Sequence, residues 1–282
     1  MDVRLWFSIC CIPYHMTDAA SVPGKVLFAN YTSINEIDVK TRIMTVLVNH
    51  GENAVFSLDY DYQNKYVYFP RYNLNEIMRF PYPSQNIILQ HVVSTSSNPS
   101  DVAVDSANDH VYWVNHYGNT VSRCKLDGTN VVVVSNSLSS STFMIRLDVI
   151  NRWLYIGYRN KGIFKSRFDL TDMSMIANFT SATYCMDIDL IEQRLYWMNN
   201  DGDIKSVNVD GSDVKTIMST NYRTIYYALG VFGSYIYYAD SNNQLVMRHT
   251  SQESTPSVLY TDTDTIGSIY VLNSTGMYIT LT

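Results

Sequence analysis

The chain has little cysteine, little charge and little proline. Four cysteines occur in 282 residues, and two of them, Cys10 and Cys11, lie in an N-terminal apolar run. The other two, Cys124 and Cys185, cannot support a disulfide-rich scaffold. No Cys-x-x-Cys pair is present to bind zinc or cycle as a dithiol. Only 16% of residues are charged and the net charge is −6, so the basic face that nucleic-acid phosphates require is missing and no nucleic-acid partner is expected. No apolar run reaches the roughly 20 residues of a membrane-spanning helix, so no direct membrane span is expected. Gly-x-Ser-x-Gly and His-Glu-x-x-His motifs are absent, and no segment sustains a helical period.

What is present favours strands: 46% hydrophobic residues, 23 tyrosines, and many Val, Ile and Thr. The N-terminus differs in kind. MDVR followed by the apolar run Leu5–Ile12 fits the core of a secretory signal. Asp2 offsets Arg4, however, and Asp18-Ala19-Ala20 is a poor cleavage site. Residues 1–21 are therefore expected to be a signal peptide or a disordered N-terminus, with residues 22–282 forming the folded domain. Sequons at Asn30, Asn178 and Asn273 are glycosylation candidates. They are compatible with secretion, although a chain this rich in Asn, Ser and Thr carries about that many by chance.

The organisation emerges from a repeat. HVYWVN at 110–115 and RLYWMN at 194–199 nearly copy each other, and related aromatic anchors recur at Phe28, Tyr68, Tyr112, Tyr155, Tyr196 and Tyr237, with spacings of 40, 44, 43, 41 and 41. Seven residues before four anchors stands an aspartate: Asp61, Asp105, Asp148 and Asp189; before Tyr237 that place holds Gly230. Eight or nine residues after each anchor comes an apolar residue: Ile37, Ile77, Val121, Ile163, Ile204 and Leu245. Asp-Gly turns such as KLDGTN at 125–130 and NVDGSD at 208–213 follow. Each unit thus reads as four short strands, the first ending at the Asp, the second carrying the Tyr and the fourth following a hairpin.

One such unit cannot bury both faces of its sheet, so units must stack. Six units of about 41 residues predict an all-β, six-bladed β-propeller of four-stranded blades. The segment before Val26 is too polar to be an inner strand, whereas the orphan SIYVL at 268–272 matches DVAVD at 101–105 in register. The ring is therefore expected to close with this C-terminal strand completing the first blade. Met277-Tyr278 repeats the anchor with no third or fourth strand to follow, so a seventh blade is not expected.

These units resemble the YWTD repeats of the low-density lipoprotein receptor family, over roughly residues 25–272. The motif positions read Phe28-Ala29-Asn30, Tyr68-Phe69-Pro70-Arg71, Tyr112-Trp113-Val114-Asn115, Tyr155-Ile156-Gly157-Tyr158, Tyr196-Trp197-Met198-Asn199 and Tyr237-Tyr238-Ala239-Asp240. Only Asp240 keeps the final acid of the motif, so charge contacts between blades made from that position must be weaker or replaced. The cysteine-rich and epidermal-growth-factor-like modules that flank such propellers are missing from this sequence. The resemblance implies an extracellular module whose ligands are proteins or peptides, some presenting a short Asn-x-Ile segment, with no cofactor.

Strand direction places the Asp-type residues at the lower turns and the loops after the motifs at the upper mouth. The mouth candidates are Arg71, Tyr72, His116, Tyr117, Tyr158, Arg159, Asn199, Asp201 and Asp240, residue types that give amphipathic contact area at binding surfaces. Asp61, Asp105, Asp148 and Asp189 invite comparison with the acidic metal ligands of propeller lactonases. Their place ahead of a turn suits hairpin capping better, and no metal site is expected. His116 is the one histidine in a mouth loop, and an exposed imidazole is the simpler reading of it. Cys124 and Cys185, on non-adjacent blades, should be two buried free thiols.

Three functions remain. One is a protein- or peptide-binding receptor module, a fragment of a Wnt-pathway or endocytic receptor or a secreted relative. Another is an extracellular matrix or assembly propeller of the nidogen kind. The third is a metal-dependent lactonase-type hydrolase. Binding is favoured over catalysis, and an extracellular location over any other.

Overall fold

A computed structural model describes residues 24–272, apart from 137, 139, 140, 224, 226, 252 and 253. The N-terminal segment 1–21, the sequon at Asn273 and the Tyr278 repeat lie outside the described residues.

The first and second strands of most blades are buried on both faces, and the turns between strands divide the chain into six four-stranded antiparallel sheets. Blade 1 holds β1 (Lys25–Ala29), β2 (Ser33–Asp38) and β3 (Met44–Asn49); blade 2 holds β4 (Asp59–Asp61), β5 (Tyr66–Arg71), β6 (Glu76–Pro81) and β7 (Gln90–Ser94). Blade 3 is β8 (Pro99–Asp105), β9 (His110–Asn115), β10 (Thr120–Lys125) and β11 (Val132–Ser135). Blade 4 is β12 (Thr142–Asp148), β13 (Trp153–Tyr158), β14 (Gly162–Ser166) and β15 (Ser174–Asn178). Blade 5 is β16 (Thr183–Asp189), β17 (Arg194–Asn199), β18 (Asp203–Asn208) and β19 (Lys215–Ser219). Blade 6 is β20 (Leu229–Phe232), β21 (Tyr235–Ala239), β22 (Gln244–His249) and β23 (Ser257–Thr261). The last strand, β24 (Ser268–Leu272), returns to pair with β1 as the inner strand of blade 1, with Phe28 opposite Ile269. First strands face one another around the axis, β4 against β8, then β12, β16, β20 and β24. The chain is a six-bladed β-propeller closed by its C-terminal strand.

The repeated anchors work by alternation, since successive side chains on a strand point to opposite faces. Trp113 joins Tyr68, Val102 and Cys124 between blades 2 and 3, whereas Tyr112 joins Ile145, Leu154 and Ile156 between blades 3 and 4. Trp197 and Tyr196 divide the same way, toward blade 4 and blade 6. The downstream positions Ile37, Ile77, Val121, Ile163, Ile204 and Leu245 are all fully buried. Cys124 and Cys185 are free and buried, and burial pushes both thiols up to about 12.

At the lower turns, Asp61, Asp148 and Asp189 each accept two backbone N–H bonds, from residues two and three ahead, at 2.8–3.2 Å. Asp105 instead accepts from Asn108 Nδ2 and, at 2.6 Å, from Arg152 Nη1 on blade 4. Blade 6 corrects the count from Tyr237. Gly230 pairs directly with that anchor, and the ladder position held by Asp in blades 2–5 falls to Phe232. Its hairpin has two turn residues, Gly233 and Ser234, where those of blades 2–5 have four, so a seven-residue step back from Tyr237 lands on Gly230, two residues before the equivalent position Phe232. Gly230 is required where it stands: a Cβ there would meet Ile269 and Val271 of β24 at 3.0 and 2.9 Å.

Charged side chains also join blades around the axis. Asp59 on β4 accepts from Val104 N at 2.6 Å; Asp101 on β8 accepts from Ile145 N at 2.8 Å and from Arg146 Nη1 at 2.9 Å. Arg146 on β12 donates through Nε to Asp187 on β16 at 3.1 Å, and Asp187 accepts from Val231 N of β20 at 2.9 Å. These bonds link blades 2 through 6 in series. The Tyr62 and Tyr270 hydroxyls, 2.9 Å apart, join blade 2 to the closing strand.

Candidate functional site

The upper face is made by the loops after the second strands and by the links between blades. Each such loop is tied to the preceding link by a backbone bond: Tyr72 N to Ala54 O, His116 N to Asn98 O, Arg159 N to Ser141 O. Tyr72 opens a single 3-10 turn, Tyr72–Leu74, ended by Asn75 in the left-handed region and held by Asn73 N donating to Asn53 Oδ1. These ties present the next side chains over the axis.

A continuous cup of rings results. Phe56 stacks on Tyr227 with centroids 4.8 Å apart, and meets Tyr72 edge-on at 5.2 Å and Phe143 at 5.6 Å. Phe143 contacts His116 at 5.0 Å and Tyr184 at 5.5 Å; Tyr184 meets Tyr227 at 5.3 Å. Tyr117 stands over His116 at 4.7 Å and near Tyr72 at 6.5 Å, and it is 71% exposed. Arg159 lies over the Tyr184 ring at 4.1 Å, donates to the Tyr184 hydroxyl, and brings Nη1 to 3.4 Å from His116 Nε2. Below the cup the channel narrows to a cavity of about 10 Å³, lined by Phe56, Ser57, Arg146, Tyr184 and Ser268 among others. That is room for about one water.

Four of the nine mouth candidates, Tyr72, His116, Tyr117 and Arg159, therefore converge. His116 is not exposed, as the simpler reading had it, but buried at 6% exposure. Burial, helped by the Arg159 charge, lowers its pKa and keeps the imidazole neutral near pH 7. The other five are placed differently. Tyr158 is buried between blades 3 and 4 with its ring edge-on to Phe164 at 5.0 Å. Arg71 donates to His50 O and pairs with Glu76. Asn199 Oδ1 accepts from Asp201 N and Asp203 N, and Asp240 Oδ1 from Asn242 N and Gln244 N, so both brace their own loops. Asp201 pairs with Arg223 at 3.2 Å.

Phe56, Phe143, Tyr184 and Tyr227 escaped the sequence reading because they sit on links and inner strands rather than after a motif. One signal was available. Phe143 and Tyr184 are each the second residue of an inner strand, behind Thr142 and Thr183. Among the described residues, no three His, Cys, Asp or Glu side chains converge to hold a metal ion, and no helix is long and apolar enough to cross a membrane.

No protein-family model matches the chain. A chain from the crystal structure of a nidogen/laminin complex superposes with a TM-score of 0.78, at 17% identity, over 87% of this chain and 97% of that one. At that identity the likeness is one of fold.

Proposed function

We propose that the protein is an extracellular, non-catalytic binding module that takes a protein or peptide ligand on its upper face. The observation that carries this reading is the cup of Phe56, Tyr72, Tyr117, Tyr184 and Tyr227 around Arg159, with rings in contact and Tyr117 exposed at its rim. Aromatic residues and arginine dominate binding energy at interfaces, because they bring large apolar area with a polar end and lose little rotamer entropy. The narrow channel beneath the cup suits a surface-docking macromolecule better than an engulfed small molecule. Of the aspartates suggestive of a lactonase, Asp61, Asp148 and Asp189 are occupied as turn acceptors and Asp105 by Asn108 and Arg152, which favours binding over hydrolysis.

A receptor of low-density lipoprotein receptor-related type is one form of this function. A matrix-assembly role is the second, favoured by the similarity in fold to a chain crystallised in a nidogen/laminin complex. The test is photo-crosslinking from a benzoylphenylalanine placed at position 117, in extracellular fluid and in matrix extract, followed by affinity measurement on the captured partner. Tyr117→Ala and Arg159→Ala are expected to weaken binding about tenfold or more with unchanged melting, since hot-spot truncations cost over about 1 kcal/mol. A large matrix glycoprotein as partner selects the assembly role. A partner bound equally well by both variants overturns the cup as its site.

A further inference from the structure

Two sequons fall within the described residues, and the fold treats their asparagines in opposite ways. Asn30 is half-buried and fully engaged. Its Oδ1 accepts from Thr32 N at 3.0 Å and Ser33 N at 2.8 Å, and its Nδ2 donates to Asp262 Oδ2 at 3.0 Å. Asp262 is itself buried at 8% exposure, on the link that leads from blade 6 to the closing strand. The Thr32 hydroxyl, which the sequon must present, is turned back onto Asn30 Oδ1 at 3.2 Å. A sugar on Asn30 Nδ2 would crowd the bond to Asp262 and the junction of blades 6 and 1 that it ties.

Asn178 is the reverse. It ends β15, the outermost strand of blade 4, and its side chain is exposed, as is that of Thr180. Between them Phe179 turns inward, 7% exposed, onto Trp197 with centroids 5.6 Å apart, while its N–H donates to Lys161 O at 3.2 Å. Residues i and i+2 of an extended segment share a side. The buried phenylalanine therefore holds both recognition groups of the sequon toward solvent. Position 178 ends the outermost strand of its blade.

We propose that, of the two sequons among the described residues, Asn178 is an N-glycan acceptor and Asn30 stays unmodified. The assignment rests on the extracellular reading, since the donor is a lipid-diphosphate-linked oligosaccharide of the secretory pathway. In the transfer, Asn178 Nδ2 bonds to the anomeric carbon, the bond from that carbon to the diphosphate oxygen breaks, and the amide loses one proton as the lipid diphosphate leaves. The glycan would cover an edge strand that exposes Met175 beside Met173, at 49% and 39%, and would leave the cup open. An edge strand of this kind is otherwise a template for strand pairing with another chain.

The test expresses the full chain in a glycosylating eukaryotic cell, once as it stands and once behind an added cleavable secretion signal. The secreted protein is treated with peptide N-glycosidase in ¹⁸O water and mapped by mass spectrometry. Residue 178 is expected as ¹⁸O-labelled aspartate and residue 30 as unlabelled asparagine. Asn178→Gln and Thr180→Ala should each remove one glycan's mobility shift relative to the parent, with unchanged melting. Secreted, folded protein with a bare Asn178, or with sugar on Asn30, overturns the assignment. A native chain that stays in the cytosol while the signal-bearing chain is glycosylated at 178 overturns the extracellular reading and leaves the acceptor assignment standing.

Discussion

The motif-final residues show how little of a side chain's identity a loop needs. Asn199 and Asp240 close their loops with the same two bonds, and Asn30 does the equivalent with Thr32 and Ser33. In each case the group used is one Oδ1 acceptor, which Asn and Asp share, so the loss of the acid costs these loops nothing. Asn115 solves the same corner through Nδ2, donating to Thr120 Oγ1 at 2.8 Å. Asn199→Ala would leave the N–H groups of Asp201 and Asp203 without their acceptor in a buried place, and is expected to cost about 1–3 kcal/mol. Asn199→Asp keeps the acceptor and should cost distinctly less. Urea unfolding of the two variants checks this, and equal losses would refute the capping account. The residue types at these positions were legible in the sequence; their work was not, because a departure from Asp looks the same whether charge or acceptor geometry is what matters. His116 was misread as exposed for a related reason. The rings that bury it, Phe143 and Tyr117, are brought together only by the fold.

At the scale of the element, strands were the easiest part to read, since the Tyr anchor, the Asp turn and the apolar residue downstream each recur at a fixed offset. Counting failed where an element changed length without changing its pattern, as in the short hairpin that put Phe232 in the ladder place assigned to Gly230. The inner strands hid the most. Asp59, Arg146 and Asp187 occupy one register, each opposite its blade's anchor, yet they differ in charge, so no repeat marks them. They act as a set only around the axis. Enclosure there raises the pKa of Asp59 to about 7, opposed by the N–H groups of Val104 and Tyr60 and by the charge of Arg146, while Asp101 adds to the rise. Tyr270 of the closing strand faces it as well. A folded pKa above the ordinary value means that the folded state holds the proton more tightly. The favourable contribution is therefore complete below about pH 4 and is lost as pH rises through about 7. Asp59→Asn cannot titrate, so the stability of the parent minus that of the variant should fall between about pH 4 and pH 7 and be level above that. The fall should be on the order of 1 kcal/mol or more, since the group is enclosed. Comparing the two proteins cancels the opposing effect of His50, His110 and His116, whose lowered pKa values destabilise the fold as pH falls. Melting curves across that range decide the matter, and a constant difference would exclude Asp59 as the titrating group.

For the whole molecule the decisive feature is closure. Each blade buries its faces only against two neighbours, and the apolar clusters among the described residues each span one junction between blades. The junction of blades 6 and 1 depends on β24: Ile269 packs with Val26, Phe28 and Tyr237, and Gly267 N donates to Ala29 O at 2.8 Å. Without β24, the fully buried Val26, Leu27 and Phe28 would line an open edge with unpaired backbone groups, a template for aggregation. The axial series from Asp59 to Val231 would be left to hold blades 2–6 as an open arc. A chain ending at Gly267 is therefore expected to lose its single cooperative melt and to associate, although it retains every YWTD-like motif. A permutant with residues 264–272 moved ahead of Gly24 and joined to it by a short Gly-Ser linker, needed because Leu272 pairs directly with Lys25, restores the same strand pairing from the other terminus, and should recover one transition near that of the parent. Calorimetry and light scattering on the three proteins test the point. Retention of the parental transition by the truncated chain would mean that the stacked blades hold the ring unaided, and failure of the permutant would mean that the chain's order, rather than the β1–β24 pairing, is what closes it.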